Sequence, residues 1–386
     1  MRPSYDAVVV GLGIMGAATL DALGRRGLRV LGVEAGGPLH RRGSSHGDTR
    51  IFRRAYWEGE RYLPLLNRSR AGWMHLAEDM GETIFLETGG LYLGSAASML
   101  VRGARATAVT AGIPHEYLDA SEISRRFPAF HVGDEIEALF EPDALMLFAE
   151  QARLGFLSRA VAAGAEIRYG QPVRALTPGP APAVAGDRWN TSCGAVVLTV
   201  GGWIGRFLPD ELGPSVTPMR VPIYWFEVSE AAESDHGPGR FPIFLSEQAD
   251  GALIYGFPKW QNIEAGLKLG FHNRQLSPID MEDERCPPDE AERLELWRSV
   301  GPLLPGLRPE GRGASCVYTM SPDESFLIGR SQTIEGVVYC SACSGHGFKF
   351  APAIGEALAQ LVTRGDSDLD LSAFDIGRFH AAARPV

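Results

Sequence analysis

A glycine-rich turn near the start of the chain constrains the fold more than any other feature. Residues 5–34 read YDAVVVGLGIMGAATLDALGRRGLRVLGVE. The aliphatic run at residues 7–10 predicts a buried parallel strand, residues 17–26 predict a helix, and residues 30–33 predict a second strand. A strand, a helix and a second strand joined through GxGxxG form the unit that binds dinucleotides in α/β sheets.

Each glycine of this turn has its own physical role. Gly11 permits the tight turn out of the strand, Gly13 lets a pyrophosphate approach the backbone, and Gly16 lets helix and strand pack closely. The N-terminus of the helix then presents free N–H groups to the phosphates. Glu34 ends the second strand, where a carboxylate accepts hydrogen bonds from ribose hydroxyls. The unit predicts an adenosine pyrophosphate ligand and leaves NAD and FAD both open.

Composition and length exclude several classes of partner. A chain of 386 residues with 45% hydrophobic and 22% charged residues is typical of a soluble protein of two or three domains. The formal net charge of −10 argues against nucleic acid as the main partner. No apolar run has the length of a membrane span, so we expect no membrane partner. The first strand begins almost at Met1 and the cysteines are sparse, which favours a cytoplasmic protein without a signal peptide.

Hydrophobic periodicity predicts the remaining elements. Further helices are predicted at residues 62–80, 104–111, 121–126, 147–163, 289–300 and 353–363. Further strands are predicted at residues 166–169, 193–202, 221–228, 252–257 and 336–341, with a hairpin at 84–94 around Gly89 and Gly90. The CxxC spacing at residues 340–343 has no second pair and lies at the end of a predicted strand, so we expect no metal site there.

Five further segments carry polar and cationic residues that a purely structural role does not explain. They are SHGDTRIFR (45–53), YGF (255–257), GLKLGFH (266–272), CVYT with a following PDE (316–319 and 322–324), and SGHGFKF (344–350). Together with the first motif, and in this order, they strongly resemble the monomeric sarcosine oxidase and N-methyltryptophan oxidase family. These are FAD-dependent amine oxidoreductases of the D-amino-acid-oxidase-like superfamily, and the resemblance covers essentially the whole chain.

The resemblance implies a fold and a reaction. The expected fold class is α/β (α+β, two domains), in which a discontinuous Rossmann-like FAD-binding domain carries an inserted mixed β-sheet domain for the substrate. We predict the FAD-binding domain at residues 1–85, 145–218 and 310–386, and the substrate domain at 86–144 and 219–309. The implied reaction oxidises the C–N bond of a secondary α-amino acid with O₂, giving H₂O₂ and an imine that hydrolyses to an aldehyde and an amine. A monomer is expected.

The resemblance also assigns the central chemical roles. It implies that FAD is bound covalently, as 8α-S-cysteinyl FAD, through Cys316, and a thiolate is the nucleophile that such a bond needs. Arg53 and Lys349 are expected to bind the substrate carboxylate, Arg53 as a planar fork and Lys349 as a point charge. Lys268 is expected to promote the reduction of O₂, because a fixed positive charge stabilises the negative charge that develops there.

The other motif residues are expected around the flavin and the substrate. Arg50 resembles a second cation close to the flavin ring, and Tyr255 and His272 resemble polar residues of the substrate pocket; all three are expected to take part in catalysis with Lys268. Gly345 is expected to contact both substrate and cofactor. The full set of residues expected at the cofactor is Gly11, Gly13, Gly16, Glu34, His46, Thr49, Cys316, Gly345, His346, Gly347 and Lys349.

Three departures from the family pattern leave the substrate open. Cys343 stands where a bulkier apolar residue is expected, Trp57 stands where a small one is expected near the pocket entrance, and the segment before Lys268 carries Trp260 and Glu264. The alternatives are therefore an oxidase of a larger or cyclic secondary amino acid, of the N-methyltryptophan, pipecolate or proline type, or a non-catalytic flavin-binding subunit. An NAD-dependent dehydrogenase fits the first motif but leaves the last third of the chain unexplained.

Overall fold

Two large β-sheets and one small sheet organise the chain. The structure is a computed structural model, which describes residues 4–260 and 266–381. The strands are β1 (Tyr5–Val10), β2 (Val30–Val33), β3 (Thr49–Phe52), β4 (Phe85–Glu87), β5 (Gly90–Ser95), β6 (Glu116–Leu118), β7 (Ile136–Glu141), β8 (Leu145–Phe148), β9 (Glu166–Arg168), β10 (Ala175–Thr177), β11 (Ala183–Ala185), β12 (Asn190–Leu198), β13 (Thr217–Val228), β14 (Ile243–Glu247), β15 (Leu253–Gly256), β16 (Leu267–Phe271), β17 (Ser277–Pro278), β18 (Leu307–Met320), β19 (Leu327–Arg330) and β20 (Val337–Ser341).

Helices pack against both large sheets. The α-helices are α1 (Ile14–Gly24), α2 (Leu63–Met80), α3 (Met99–Thr110), α4 (Ala120–Arg126), α5 (Ala149–Ala162), α6 (Ile204–Phe207), α7 (Glu290–Val300), α8 (Ala351–Arg364) and α9 (Gly377–Ala381). Short 3₁₀ segments occur at Glu60–Tyr62, Gly201–Trp203, Gly213–Ser215, Glu230–Asp235, Phe348–Phe350 and Ser372–Phe374. Within the described residues, none of the helices is long and apolar enough to cross a membrane.

The first sheet contains the predicted dinucleotide unit. Its order is β9-β2-β1-β12-β20-β19, with β11 and β10 continuing from β12, and the strands from β9 to β20 run parallel. β1 and β2 pair from Ala7↔Val30 to Val10↔Val33, and α1 between them is buried along its whole length against α5 and α8. The sequence prediction of a strand, a helix and a second strand is therefore confirmed. The helix α1 is buried because it packs against two other helices, α5 and α8.

The turn from β1 into α1 requires glycine at two positions. Gly11 has φ +86°, and a Cβ there would lie 2.8 Å from the carbonyl oxygen of Thr199. A Cβ on Gly16 would overlap the carbonyl oxygen of Gly11. Both positions are closed to other residues because backbone atoms of the residues just after β12 and of the turn itself already occupy the space.

The second sheet supplies the opposite wall of the site. Its order is β17-β13-β16-β15-β14-β5-β7-β6, with β18 pairing along β13 from Thr217↔Met320 to Val228↔Leu307. Along β16, Leu267, Leu269 and Phe271 pack into the apolar core of this sheet. Because side chains alternate across a strand, Lys268 points to the other face, where its Nζ meets the carbonyl groups of Gly47 and Thr49. This alternation explains how a lysine between two leucines reaches a buried site.

Two predictions about local structure are wrong. The hairpin expected at residues 84–94 does not form: β4 pairs with β8 in a three-stranded sheet with β3, whereas β5 pairs with β7 and β14 in the second sheet. The helix expected from residue 147 begins at Ala149, because Leu147 and Phe148 belong to β8, which pairs with β3. In both cases the apolar residues pair with strands that are distant in the chain. Their local pattern is also compatible with the predicted hairpin or helix, so it does not distinguish the two outcomes.

The division into two domains stays a prediction, and the sheets bear on one boundary. The strands of the first sheet come from residues 5–33, 166–198 and 327–341, and those of the second from 90–141 and 217–320. The predicted boundary at 310 lies inside β18, which belongs by pairing to the second sheet. The strand pairing therefore favours a boundary after residue 320.

Candidate active site

A cavity of about 770 Å³ lies between the first and second sheets. The carboxyl ends of β1, β2, β12 and β20 form one wall, at the edge where parallel α/β sheets bind their ligands. The predicted site residues that line this cavity are Gly11, Gly13, Glu34, Thr49, Arg50, Arg53, Tyr255, Lys268, His272, Cys316, Gly345, His346, Gly347 and Lys349. Gly16 lies behind Gly11, and His46 lies behind the cavity wall beside Cys316.

The carboxylate of Glu34 is fixed at one end of the cavity. It accepts hydrogen bonds from the backbone N–H groups of Leu12 and Gly36, both at 2.8 Å, and lies 3.3 Å from Nε2 of His40. Burial raises the pKa of Glu34, but these hydrogen bonds more than offset the effect and lower it. Glu34 is therefore an oriented anion next to the glycine turn, which is the position that a ribose-binding acid needs.

Lys268 is a buried residue of the cavity wall. Its side chain is 2% exposed, and Nζ donates to the carbonyl oxygens of Gly47 and Thr49, the latter at 2.8 Å. The ammonium also lies 4.8 Å from the ring centre of Phe257. Burial and the nearby guanidinium of Arg50 lower the pKa of Lys268 to about 7. The lysine is thus held rigidly, and its charge changes near neutral pH.

Cys316 lies on β18 next to a group of cations. Its Sγ is 3.9 Å from Nη2 of Arg50 and 3.9 Å from the carbonyl oxygen of Ser44. Burial raises the pKa of the thiol, but the neighbouring His46 ring and the Arg50 guanidinium lower it to about 6 overall. The neighbours of Cys316 therefore favour the thiolate, which is the form that a nucleophilic cysteine needs.

Arg53 and Lys349 converge on one aromatic ring. The guanidinium carbon of Arg53 lies 4.3 Å from the ring centre of Tyr56, and Nζ of Lys349 lies 5.2 Å from it. Arg53 also forms a 2.5 Å ion pair with Glu58, whose second carboxylate oxygen has no hydrogen-bond partner among the described residues. Two cations and one buried carboxylate thus line the same part of the cavity.

Burial sets the charges of this cation pair. Burial and the nearby Arg53 lower the pKa of Lys349 to about 7, while Glu58 opposes the shift. Burial also works against the charge of Arg53, but the Glu58 carboxylate raises the pKa of the guanidinium above its ordinary value. Arg53 is therefore a permanent cation, whereas Lys349 loses its charge as the pH rises through about 7.

Hydrogen bonds define the tautomer of His346. Its Nδ1 lies 2.6 Å from the hydroxyl of Tyr56, and its Nε2 lies 3.1 Å from the carbonyl oxygen of Glu324. Since a carbonyl only accepts, Nε2 carries the proton and Nδ1 accepts from Tyr56. Burial lowers the pKa of His346 to about 3, so the ring is neutral and serves to hold the Tyr56 ring under the two cations.

Two further predicted residues of the site, His272 and Tyr255, are neutral. Burial lowers the pKa of His272 to about 4 and raises the pKa of Tyr255 above its ordinary value. The ring of His272 lies 6.0 Å from that of Tyr318. Gly345 has no room for a side chain, because a Cβ there would lie 2.8 Å from Tyr318 and 2.9 Å from His272. The backbone of Gly345 is therefore pressed against these two rings at the cavity surface.

Tyr318 and Glu58 are among the lining residues that were not predicted from the sequence. Tyr318 follows Cys316 by two positions, and strand alternation would have placed both on one face. Glu58 lies only five positions after Arg53, but in a segment without regular structure, so no helix or strand periodicity points to this pair. Trp57, expected near the pocket entrance, instead packs against Gly103 of α3. Trp260 packs on Phe148, and Glu264 lies outside the described residues.

Comparison with known protein families identifies the family of this chain. The profile of the FAD dependent oxidoreductase (DAO) family matches residues 6–361. The chain belongs to this family. The cofactor that the first motif left open is therefore FAD, and the NAD-dependent alternative is excluded.

Curated relatives of this FAD-dependent oxidoreductase extend over its whole length. A monomeric sarcosine oxidase from Streptomyces avermitilis is 35% identical, over 99% of this chain and 100% of the relative. An N-methyl-L-tryptophan oxidase from Yersinia pestis is 36% identical, over 97% of this chain and 99% of the relative. The resemblance to this group of oxidoreductases is therefore confirmed.

Solved structures agree on the fold. L-proline dehydrogenase from P. horikoshii superimposes with a TM-score of 0.82 at 20% identity, over 99% of both chains. NikD, an amino acid oxidase essential for nikkomycin biosynthesis, superimposes with a TM-score of 0.81 at 24% identity, over 96% of this chain and 97% of the other. The predicted combination of a Rossmann-like FAD fold with a mixed sheet is confirmed by these neighbours.

The residues of this FAD-dependent oxidoreductase fit its cofactor. The cavity volume lies within the usual range of about 300–1,000 Å³ for cofactor sites. It joins the glycine turn and the Glu34 carboxylate at one end to Cys316 and Lys268 further on. Gly11, Gly13 and Glu34 would hold the adenosine pyrophosphate. Within the described residues, no group of three or more His, Cys, Asp or Glu side chains is arranged to hold a metal ion.

Proposed function

We propose that this protein oxidises the C–N bond of a sarcosine-like secondary α-amino acid with O₂, giving an imine and H₂O₂. The imine then hydrolyses to an aldehyde and an amine. One observation carries the proposal: the two buried cations Arg53 and Lys349 converge on Tyr56 in the same cavity that contains Lys268 and Cys316. The relatives named for sarcosine and N-methyltryptophan oxidation support it.

The cation pair would orient the substrate. A substrate carboxylate between Arg53 and Lys349 would accept hydrogen bonds from the planar guanidinium on one side and would face the compact charge of the ammonium on the other. Both cations are at most 5% exposed, so little water competes for the carboxylate. Glu58 is the internal competitor, since it already occupies one side of Arg53. The substrate is therefore expected to bind as a carboxylate that displaces or shares this ion pair.

The neutral side chains of His272 and Tyr255 would receive the amine. His272 and Tyr255 are uncharged at pH 7, because burial keeps the pKa of His272 low and that of Tyr255 high. Neutral hydrogen-bonding groups favour the free amine, which is the form whose C–N bond can be oxidised. When bound, FAD supplies the two-electron chemistry between the amine and O₂. The protein residues position the amine, exclude water and supply fixed charge.

The reaction with O₂ would depend on Lys268. Its ammonium is fixed by two backbone carbonyl groups and lies next to Arg50, so the positive charge is in place before O₂ is reduced. A preorganised charge stabilises developing negative charge more than a mobile one, because no reorganisation is needed. Lys268 is therefore proposed as the residue that promotes the O₂ step.

The cofactor is proposed to be attached covalently. Cys316 lines the cavity as a thiolate beside Arg50, and it occupies the position that the family resemblance assigns to the 8α-S-cysteinyl bond. Such an attachment needs a nucleophile that is deprotonated at neutral pH. Cys340 does not meet this requirement, because burial raises the pKa of its thiol to about 12.

A peroxide assay tests the reaction and the class of substrate. We expect H₂O₂ production with at least one of sarcosine, N-methyltryptophan, pipecolate and proline, and no production with the corresponding N-acetylated compounds, which lack a basic amine. Turnover with sarcosine alone supports a small, sarcosine-like substrate. Preference for the larger amines supports the alternative of a larger or cyclic substrate, for which Cys343, in place of a bulkier residue, leaves extra room. Absence of H₂O₂ with every secondary amine contradicts the oxidase proposal.

Binding of a simple carboxylate should weaken as the pH rises through about 7. Lys349 loses its positive charge in this range, while Arg53 keeps its own. The dissociation constant of methoxyacetate, which has no amine to titrate, should rise by up to about tenfold between pH 6 and pH 8, as expected for one lost charge-assisted hydrogen bond. Spectral titration of the flavin measures it.

The Lys349→Met variant is the control for this pH dependence. It should bind methoxyacetate weakly at every pH and show a flat profile between pH 6 and pH 8. An unchanged slope in the variant means that another group titrates, and Lys349 then has no role in binding the carboxylate.

A further inference from the structure

Three cysteines line the cavity, and they differ in chemical state. Cys316, Cys340 and Cys343 all contribute to its surface. Burial raises the pKa of the Cys340 thiol to about 12 and also raises the pKa of Cys343. Cys316, with Arg50 at 3.9 Å, is the thiolate of the set. The cavity thus contains one cysteine whose neighbours favour the thiolate and two cysteines whose burial favours the protonated thiol.

A buried ring nitrogen accompanies the reactive sulfur. His46 is 5% exposed, and its Nε2 has no hydrogen-bond partner within the described part of the chain. The ring lies close enough to Cys316 to lower the pKa of the thiol. An unpaired ring nitrogen beside the sulfur is available for a hydrogen bond with an oxygen atom bound to, or reacting with, that sulfur.

We propose that Cys316, in chains that have not yet attached FAD, is a peroxide-sensitive site whose oxidation to a sulfenic acid blocks attachment. The inference rests on the proposed function, in which Cys316 is the attachment point and H₂O₂ is a product. The thiolate sulfur attacks one peroxide oxygen, an S–O bond forms and the O–O bond breaks. Hydroxide leaves and takes up a proton to become water, so the sulfur loses two electrons and the peroxide gains them.

The same environment explains both reactions of Cys316. Arg50 and His46 favour the thiolate, which is the form that attacks a flavin and also the form that attacks a peroxide. Once the sulfur carries the flavin it has no thiolate to oxidise, so loaded protein is protected. A chain without flavin, next to active neighbours, is exposed to their product. A sulfenic acid is reversible by thiols, so the block is temporary.

Peptide mass spectrometry of the full-length chain produced without riboflavin tests the inference. The chain is treated with H₂O₂ at pH 7 in the presence of dimedone, which traps sulfenic acids. Cys316 should be labelled at least about tenfold faster than Cys340 and Cys343, because thiolate rather than thiol reacts. Exposed Cys286 serves as the control for simple accessibility. Protein with covalent flavin should give no adduct at Cys316.

Flavin uptake provides the second measurement. Chain oxidised with H₂O₂ in the absence of dimedone should take up no covalent FAD until it is treated with dithiothreitol, whereas untreated chain takes it up at once. The Arg50→Gln variant should be labelled more slowly at Cys316, with labelling of Cys286 unchanged. Labelling of Cys316 that is no faster than that of Cys340 and Cys343, or flavin uptake that is insensitive to peroxide, overturns the inference.

The outcomes separate this inference from the proposed function. Added peroxide and a mass readout require no turnover, so the labelling result is independent of any oxidase activity. A chain that is labelled at Cys316 but never takes up covalent flavin contradicts the proposed attachment. A chain that attaches flavin but is not labelled at Cys316 overturns only the peroxide inference.

Discussion

Replacing Lys268 with methionine is expected to slow the reaction of substrate-reduced enzyme with O₂ by about 10²-fold to 10³-fold, the effect of removing one preorganised charge or donor. Methionine fills a similar volume without a charge, and the ammonium it removes is fixed by the carbonyl groups of Gly47 and Thr49. Anaerobic reduction by substrate should change far less. Stopped-flow measurement of the two half-reactions separates the effects.

The pH dependence gives a second readout for Lys268. The pKa of this lysine is about 7, so its positive charge is present below neutral pH and is lost above it. In the parent enzyme the O₂ step should slow as the pH rises through about 7, and in Lys268→Met it should be slow throughout this range. Lys349→Met is the matched control, since it removes another buried lysine of the same cavity and should mainly weaken substrate binding. Equal loss in both half-reactions of Lys268→Met contradicts the proposed role.

Replacing Cys316 with serine is expected to abolish covalent attachment of FAD. Serine preserves the size of the side chain, but its hydroxyl is not deprotonated at neutral pH and cannot act as the thiolate does. After acid precipitation, the parent protein should leave a yellow pellet, and Cys316→Ser should leave a colourless pellet and a yellow supernatant. The absorbance of the two fractions measures the attached share.

Cys343→Ser is the matched control for this result. Cys343 lines the same cavity, but burial raises the pKa of its thiol, so it should contribute nothing to attachment. A yellow pellet is expected for this variant. A colourless pellet from the parent protein, or a pellet from Cys316→Ser that stays yellow, contradicts attachment through Cys316.

Local sequence predicted the parts of the fold that depend on neighbours along the chain. The turn at Gly11 and the helix after it follow from backbone sterics and from a short apolar run, and the structure reproduces both. Alternation along β16 explains why Lys268 faces the cavity while Leu267 and Leu269 face the core. The hairpin expected at residues 84–94 does not form, because an alternating apolar pattern does not specify which strand it pairs with.

By itself, the sequence determined the dinucleotide unit, the order of the family motifs and the residue types of the site. The tertiary structure alone decided how these residues modify one another. Lys349 meets the Tyr56 ring, and the Arg53–Glu58 pair beside it, only after segments far apart in the chain have packed. The charges of Lys268, Cys316 and Lys349 depend on burial and on neighbours across two sheets. Desolvation and Coulomb interactions act through space, and a linear pattern of residues does not contain those distances.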